Sequence, residues 1–137
     1  MTRTFLDAGV LIAAIRGTPE VAERAMELLN DPERHFVSSE FVQLEVLPKA
    51  VYFRREAEAS FYRAYFAAVT EMVPVSQALI AQASEQAQRA GLAAMDALHV
   101  AAARLGESAE FITIERPGKP LFRVEGMTVR TLLDQSG

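Results

Sequence analysis

Thr4-Phe5-Leu6-Asp7-Ala8-Gly9-Val10-Leu11-Ile12-Ala13-Ala14-Ile15 sets out, near the start of the chain, the order of events that decides the fold. A short β-competent run ends in a carboxylate, and an apolar stretch of helical length follows. This predicts a strand over 3–7 and a helix over 8–15, with Asp7 at the carboxyl end of the first strand. Parallel α/β sheets bind their ligands at that edge, which makes Asp7 a candidate site residue.

Three further acids sit just past apolar runs. His35-Phe36-Val37 leads into Ser38-Ser39, and Ser39 can cap a helix through Phe41, Val42, Leu44 and Leu47. Glu45 lies about two turns into that helix, and its apolar neighbours argue against full exposure. In Gly91-Leu92-Ala93-Ala94-Met95-Asp96-Ala97-Leu98-His99-Val100-Ala101-Ala102-Ala103, alanines dominate and Asp96 is the only acid. Alanine is the best helix former, and a helix with such small side chains can pack close to a sheet. Phe111-Ile112-Thr113-Ile114 then reads as a strand with Glu115 at its end, before the turn Pro117-Gly118. Two of the four acids thus end strands and two project from helices.

The rest of the chain continues the alternation. Thr18-Pro19-Glu20 opens a helix reaching Leu29, with a cap, a first-turn proline and a dipole-matched acid in order. A strand is expected at 35–38, then the Glu45 helix until Pro48 disturbs it. Residues 50–69 read as one long helix or a helical hairpin. A short strand at 72–75 precedes a helix from Ser76 to about Ala90, on which Glu85 and Arg89 have the favourable i,i+4 order. Gly91 breaks that helix, and the Asp96 helix runs to Leu105-Gly106. Strands are expected near 110–114, 121–124 and 127–131. Such an alternation favours a largely parallel sheet covered by helices on both faces.

At 137 residues the chain reads as a single domain over 1–137, large enough for a real core. There is no cysteine, which excludes disulfides and thiolate metal sites. The stretch Ala8 to Ile15 is too short to span a bilayer, and Asp7 falls where a signal peptide would need its apolar core. The expected location is the cytoplasm, with no membrane partner. A formal charge of −4 argues against a generally sticky nucleic-acid binder. It leaves room for a nuclease, whose carboxylates contribute to that balance and whose metal would offset it.

Gathering Asp7, Glu45, Asp96 and Glu115 in one place would be costly without a cation. Two carboxylates about 4 Å apart repel by roughly 4 kcal/mol at an effective dielectric of 20. A divalent ion turns that repulsion into attraction, and a carboxylate-and-water shell suits Mg²⁺ or Mn²⁺. Such an ion also acidifies a bound water and neutralises charge on a phosphoryl group. The four acids are therefore candidate metal ligands and catalytic residues of a phosphodiesterase. Thr113 is a candidate for orienting a carboxylate or water behind them.

In Phe5-Leu6-Asp7 with Val10-Leu11-Ile12, in Ser39 six residues before Glu45, in Asp96-Ala97-Leu98-His99-Val100-Ala101-Ala102-Ala103 and in Phe111-Ile112-Thr113-Ile114-Glu115, the chain resembles the PIN-domain ribonucleases of the VapC toxin kind. Order, spacing and total length agree along nearly the whole chain. The resemblance implies a three-layer α/β/α domain that cuts single-stranded or loop RNA, with Mg²⁺ or Mn²⁺ held by Asp7, Glu45, Asp96 and Glu115. It further implies a homodimer, and a toxin neutralised by a partner antitoxin. Two departures stand out: Glu115 where the family usually has Asp, and Ala8-Gly9 where a hydroxyl or amide residue is usual. They motivate an alternative, a weak or inactive PIN-like module that binds RNA or a protein partner.

Simpler roles exist for each residue. Asp7 and Asp96 can cap helices, Glu45 can be a solvated helix residue, and Glu115 can be a loop acid. His99, three residues after Asp96, reads better as a packed histidine than as a general acid or RNA contact. The aromatic residues Phe61, Tyr62, Tyr65 and Phe66 read as core or a dimer seam rather than a base-stacking surface. Arg54, Arg55 and Arg63, with Lys49, can line a phosphate path, although a solvated face is the default. A phosphotransferase of the haloacid-dehalogenase kind would need a second Asp at position 9, where Gly9 stands.

Overall fold

A computed structural model of the chain describes residues 1–133. Residues 134–137, the end of the expected domain, lie outside the described residues. Five strands form one sheet: β1 (Thr2–Leu6), β2 (Arg34–Ser39), β3 (Glu71–Val73), β4 (Glu110–Thr113) and β5 (Thr128–Thr131). Six helices connect or flank them: α1 (Ala8–Arg16), α2 (Pro19–Leu29), α3 (Glu40–Tyr52), α4 (Glu56–Ala68), α5 (Gln77–Ala90) and α6 (Ala94–Leu105). The strand order is β3-β2-β1-β4-β5, and every pairing is parallel.

The chain first moves outward from β1 to β2 and β3, then returns across the sheet to place β4 on the other side of β1. Parallel crossovers are right-handed, so this reversal sends α1–α4 to one face and α5–α6 to the other. The result is the expected three-layer α/β/α arrangement. The central strands are correspondingly apolar on both faces: Phe5, Leu6, Val37, Phe111 and Ile112 are fully buried. Phe5 and Phe111, directly paired in register, stack with ring centroids 5.3 Å apart. The alanine-rich α6 buries Ala97, Val100, Ala101, Ala102 and Ala103, so its backbone lies close to the sheet.

Local signals behave as their chemistry requires. Ser39 Oγ accepts from the Val42 amide at 3.2 Å and Ser76 Oγ from the Leu79 amide at 3.0 Å, capping α3 and α5. Thr18 occupies the cap of α2 but makes no side-chain hydrogen bond. Glu85 and Arg89 pair at 2.6 Å. The 50–69 region is a hairpin, broken at Phe53–Arg55, with Tyr62, Tyr65 and Phe66 buried in the core.

Two expectations are corrected. Pro48 does not end the helix of Glu45: α3 runs on to Tyr52. The carbonyl that loses its donor is that of Leu44, whose residue is 65% exposed, so water can replace the missing bond. The strand expected at 121–124 is instead a 3-10 turn over Pro120–Arg123. Pro120 opens it, and the buried residues Leu121 and Val124 recur at a spacing of three rather than two.

At the amino-terminal edge of the sheet a buried acid ties four strands together. Glu110 Oε1 accepts from Thr4 Oγ1 and from Arg34 Nε, both at 2.7 Å, and Oε2 accepts from Arg130 Nη1 at 3.0 Å. Burial pushes the Glu110 carboxyl up, but the Arg34 and Thr4 hydrogen bonds and the two guanidinium charges outweigh it and hold it below the usual range. A lowered acid contributes stability that is present above its ordinary value of 4.5 and lost as pH falls through the folded one. Glu110→Gln is expected to cost about 2–3 kcal/mol at pH 7. In urea melts the deficit should shrink below pH 4; an unchanged midpoint at pH 7 would refute the clamp.

Candidate active site

The reversal of strand order between β1 and β4 opens a crevice beyond their carboxyl ends, where ligands bind in sheets of this type. Asp7 leaves β1 at that point, and its amide donates to the Ile112 carbonyl of β4 at 2.9 Å. Its side chain sits at the cap of α1 but makes no capping hydrogen bond. The carboxylate instead accepts from Thr113 Oγ1 at 2.9 Å. Thr113 Oγ1 in turn accepts from the Glu115 amide at 3.1 Å. One fully buried hydroxyl therefore holds the Asp7 side chain and the Glu115 backbone together.

Glu45 reaches the same crevice from α3 with a side chain 37% exposed, despite its apolar neighbours in sequence. Val46 is buried, whereas Leu44 faces solvent. Asp96 is the third residue of α6, part-buried in its first turn, and the cap position belongs to Ala93. Asp96 thus has no capping role.

His99 is the residue whose role the chain alone does not disclose. It is 1% exposed, one turn beyond Asp96, and its Nε2 meets Glu45 Oε1 in a short hydrogen bond. Nδ1 is buried without a partner. The contact with the Glu45 carboxylate, which can only accept, places a proton on Nε2. Such burial removes His99 from any contact with RNA and makes it a positioning residue for Glu45. Its spacing of three from Asp96 was the available signal, since i and i+3 share a helix side.

The acids interact electrically as well as spatially. Burial pushes the Asp7 carboxyl above its usual range; His99 and the Thr113 hydrogen bond oppose this, and the Glu45 charge reinforces it. Burial also raises Asp96, with further upward pushes from Asp7, Glu115 and Glu45 against a downward pull from His99. All four expected acids are therefore within one field. Among the described residues, no three acid, histidine or cysteine side chains converge closely enough to cage an ion as they stand. The donor set is nonetheless of the right kind for a hard cation: oxygen ligands, uncompensated negative charge and an opening to solvent. Mg²⁺ in particular takes only one or two carboxylates directly and keeps waters for its remaining positions.

The Ala8-Gly9 departure also has a physical account. A Cβ on Gly9 would lie 2.7 Å from Ile114 Cγ1, so α1 can start against the end of β4 only because position 9 lacks a side chain. Ala8 is 3% exposed, in a slot that a larger polar side chain would not fit.

The model of the PIN domain family matches residues 4–114. No curated protein matches the sequence. Among solved structures, the chain is similar to one from a toxin-antitoxin complex of Klebsiella pneumoniae, with a TM-score of 0.71, 22% identity, and coverage of 96% of this chain and 98% of that one. It is also similar to a chain of VapBC2 from Rickettsia felis bound to a promoter DNA fragment, with a TM-score of 0.69, 14% identity and coverage of 95% and 98%. A third is DNA-bound VapBC from Salmonella typhimurium, with a TM-score of 0.67, 13% identity and coverage of 97% and 100%. At these identities the structural likeness establishes the fold.

An acid whose folded pKa is raised keeps its proton longer in the native state, so stability drains away as pH climbs from 3.8 through the folded value. Asp96→Asn removes that repulsion. It is expected to melt roughly 3–5 °C above wild type at pH 7, about 1 kcal/mol, and to converge with it near pH 3. Calorimetry at the two pH values decides; a lower melting temperature at pH 7 would show that Asp96 is held by favourable contacts instead.

Proposed function

The chain belongs to the PIN-domain family, and from that premise we propose that it is an endoribonuclease that cuts single-stranded or loop RNA. The observation that carries the reading is the placing of acids at the reversal of the sheet: Thr113 holds the Asp7 carboxylate and the Glu115 amide together, and His99, one turn beyond Asp96 on α6, holds Glu45. The oxygen donors of these acids fit Mg²⁺ or Mn²⁺, which would supply positive charge for the phosphoryl oxygens and raise the acidity of water.

The chain's own groups then have defined tasks. Thr113 keeps the Asp7 carboxylate aimed into the crevice, and His99 does the same for Glu45. Asp96, part-buried in the first turn of α6, would help hold the ion and orient the attacking water, whose proton passes to solvent. The bond to the leaving ribose oxygen breaks as the new P–O bond forms, and that oxygen takes its proton from solvent. Buried His99 is not a proton donor to the substrate in this scheme.

We read the enzyme as a cytoplasmic homodimer and the toxin half of a toxin–antitoxin pair. The toxin part of this reading is supported by likeness in fold to chains of toxin-antitoxin and VapBC complexes. No helix among the described residues is long and apolar enough to cross a membrane.

The purified protein is expected to cleave a mixed single-stranded RNA pool with Mn²⁺ or Mg²⁺ and not in EDTA. Asp7→Asn and Asp96→Asn should each lower the rate about 10²–10⁴-fold while remaining folded; equal rates would sink the shared site. His99→Gln should weaken Mn²⁺ affinity by about 10–100-fold, read by calorimetric titration as well as by rate. RNA binding without metal-dependent turnover would instead favour an inactive PIN-like module.

A further inference from the structure

The acidic crevice explains where a strand would be cut but not what holds it on a protein with a formal charge of −4. The cations divide into a paired and an unpaired set, and of the unpaired ones Arg24, Arg104, Arg116, Lys119 and Arg123 are spread over the rest of the described residues. Arg3, Arg16, Arg34, Arg89 and Arg130 each pair with a carboxylate. Among the described residues, Lys49, Arg54, Arg55 and Arg63 pair with none within 4 Å. These four fall within one α3–α4 hairpin, and three of them line a groove of about 380 Å³ between its helices.

The same hairpin carries exposed aromatic surface. Lys49 and Tyr52 follow Glu45 by four and seven residues, so all three share one face of α3. Glu45 and Tyr52 are separated by about 10 Å along the axis. Tyr52 is 78% exposed and Phe53 56% exposed. Their rings meet edge to face at 4.9 Å, and the Arg55 guanidinium lies 5.0 Å over the Phe53 ring. Exposed aromatic faces interleaved with unpaired cations are what a single-stranded nucleic acid uses, bases stacking and phosphates pairing.

Arg54 supplies a separate indication. It ends α3 with φ +55, in the left-handed region where glycine is the ordinary choice. The equivalent position after α6 holds Glu107, at φ 56, so the chain accepts a charged side chain in this conformation more than once. At the α3 end that side chain is a guanidinium lining the groove.

We infer that α3 and its junction with α4 form a track for single-stranded RNA, running from Glu45 past Lys49 to the Tyr52–Phe53 platform and the Arg54, Arg55 and Arg63 groove. This deepens the nuclease reading and rests on it. Bases stack on Tyr52 and Phe53, and phosphates downstream of the crevice pair with the arginines.

The test is fluorescence anisotropy of a short labelled single-stranded RNA in EDTA, where metal-dependent cutting is silent, with melting temperature and sedimentation measured on the same samples. Tyr52→Ala is expected to weaken binding about 5- to 100-fold. Arg54→Gly should lower the log–log salt slope by about 0.7, while its melting temperature stays equal or rises. Wild-type affinity in both variants would overturn the track and leave the nuclease reading standing. A lower melting temperature in Arg54→Gly would overturn the role given to Arg54, and a shift from dimer to monomer in Tyr52→Ala with unchanged RNA affinity would make the platform a protein seam. Wild-type protein that binds no single-stranded RNA would overturn both readings, whereas binding without metal-dependent cutting would overturn the nuclease alone.

Discussion

β1 and β4 are neighbours in the sheet but more than a hundred residues apart in the chain, and their pairing is secured at three levels. Thr4 donates to Glu110 at one end, Phe5 stacks on Phe111 in the middle, and Asp7 accepts from Thr113 at the other. The lower contact is a charged network that also binds β2 and β5 through Arg34 and Arg130. The middle one is apolar core. The upper one is the floor of the crevice. Strand pairing that holds the fold together therefore also sets the distance between two of the acids. A slip of one residue along β4 would turn Thr113 away from Asp7 and separate the carboxylates.

Stability and chemistry pull in opposite directions across that pairing. At the Glu110 end, a buried acid is matched by Arg34, which it shares with Asp31, and by Arg130, and it sits below its usual pKa range. At the Asp7 end, burial and neighbouring acids raise both Asp7 and Asp96, so the ionised crevice weakens the fold. Proteins tolerate such local frustration at functional sites because the rest of the core offsets it. The alanine-rich α6 and the Gly9–Ile114 approach are part of that offset: both let backbone close in where the acids leave no apolar packing of their own.

Much of the site was legible before any coordinates. Strand-then-acid at Asp7 and Glu115, the Ser39 cap and the small-sided helix of Asp96 are local signals, and each has a local cause. The departures in the fold have local causes too. Pro48 stays within α3 because Leu44 leaves its carbonyl to water, and Pro120 turns an apolar run into a 3-10 turn rather than a strand. His99 was different. Nothing in its neighbourhood of alanines and leucines indicates that it faces Glu45, more than fifty positions earlier, and not solvent or bulk core.

From the sequence alone came most of the element order, the parallel sheet and four acids as candidates, because periodicity, capping and strand-end position are properties of neighbouring residues. Only the tertiary structure decided which groups hold those acids, since Thr113 with Asp7, His99 with Glu45 and Glu110 with Arg34 are contacts between distant segments. It likewise decided that Lys49, Arg54, Arg55 and Arg63 come to lie on one hairpin without carboxylate partners among the described residues, while Arg3, Arg16, Arg34, Arg89 and Arg130 find theirs. Beyond local pairs such as Glu85 with Arg89, whether a cation finds a carboxylate depends on which surfaces folding brings together, and no local pattern in the chain contains that information.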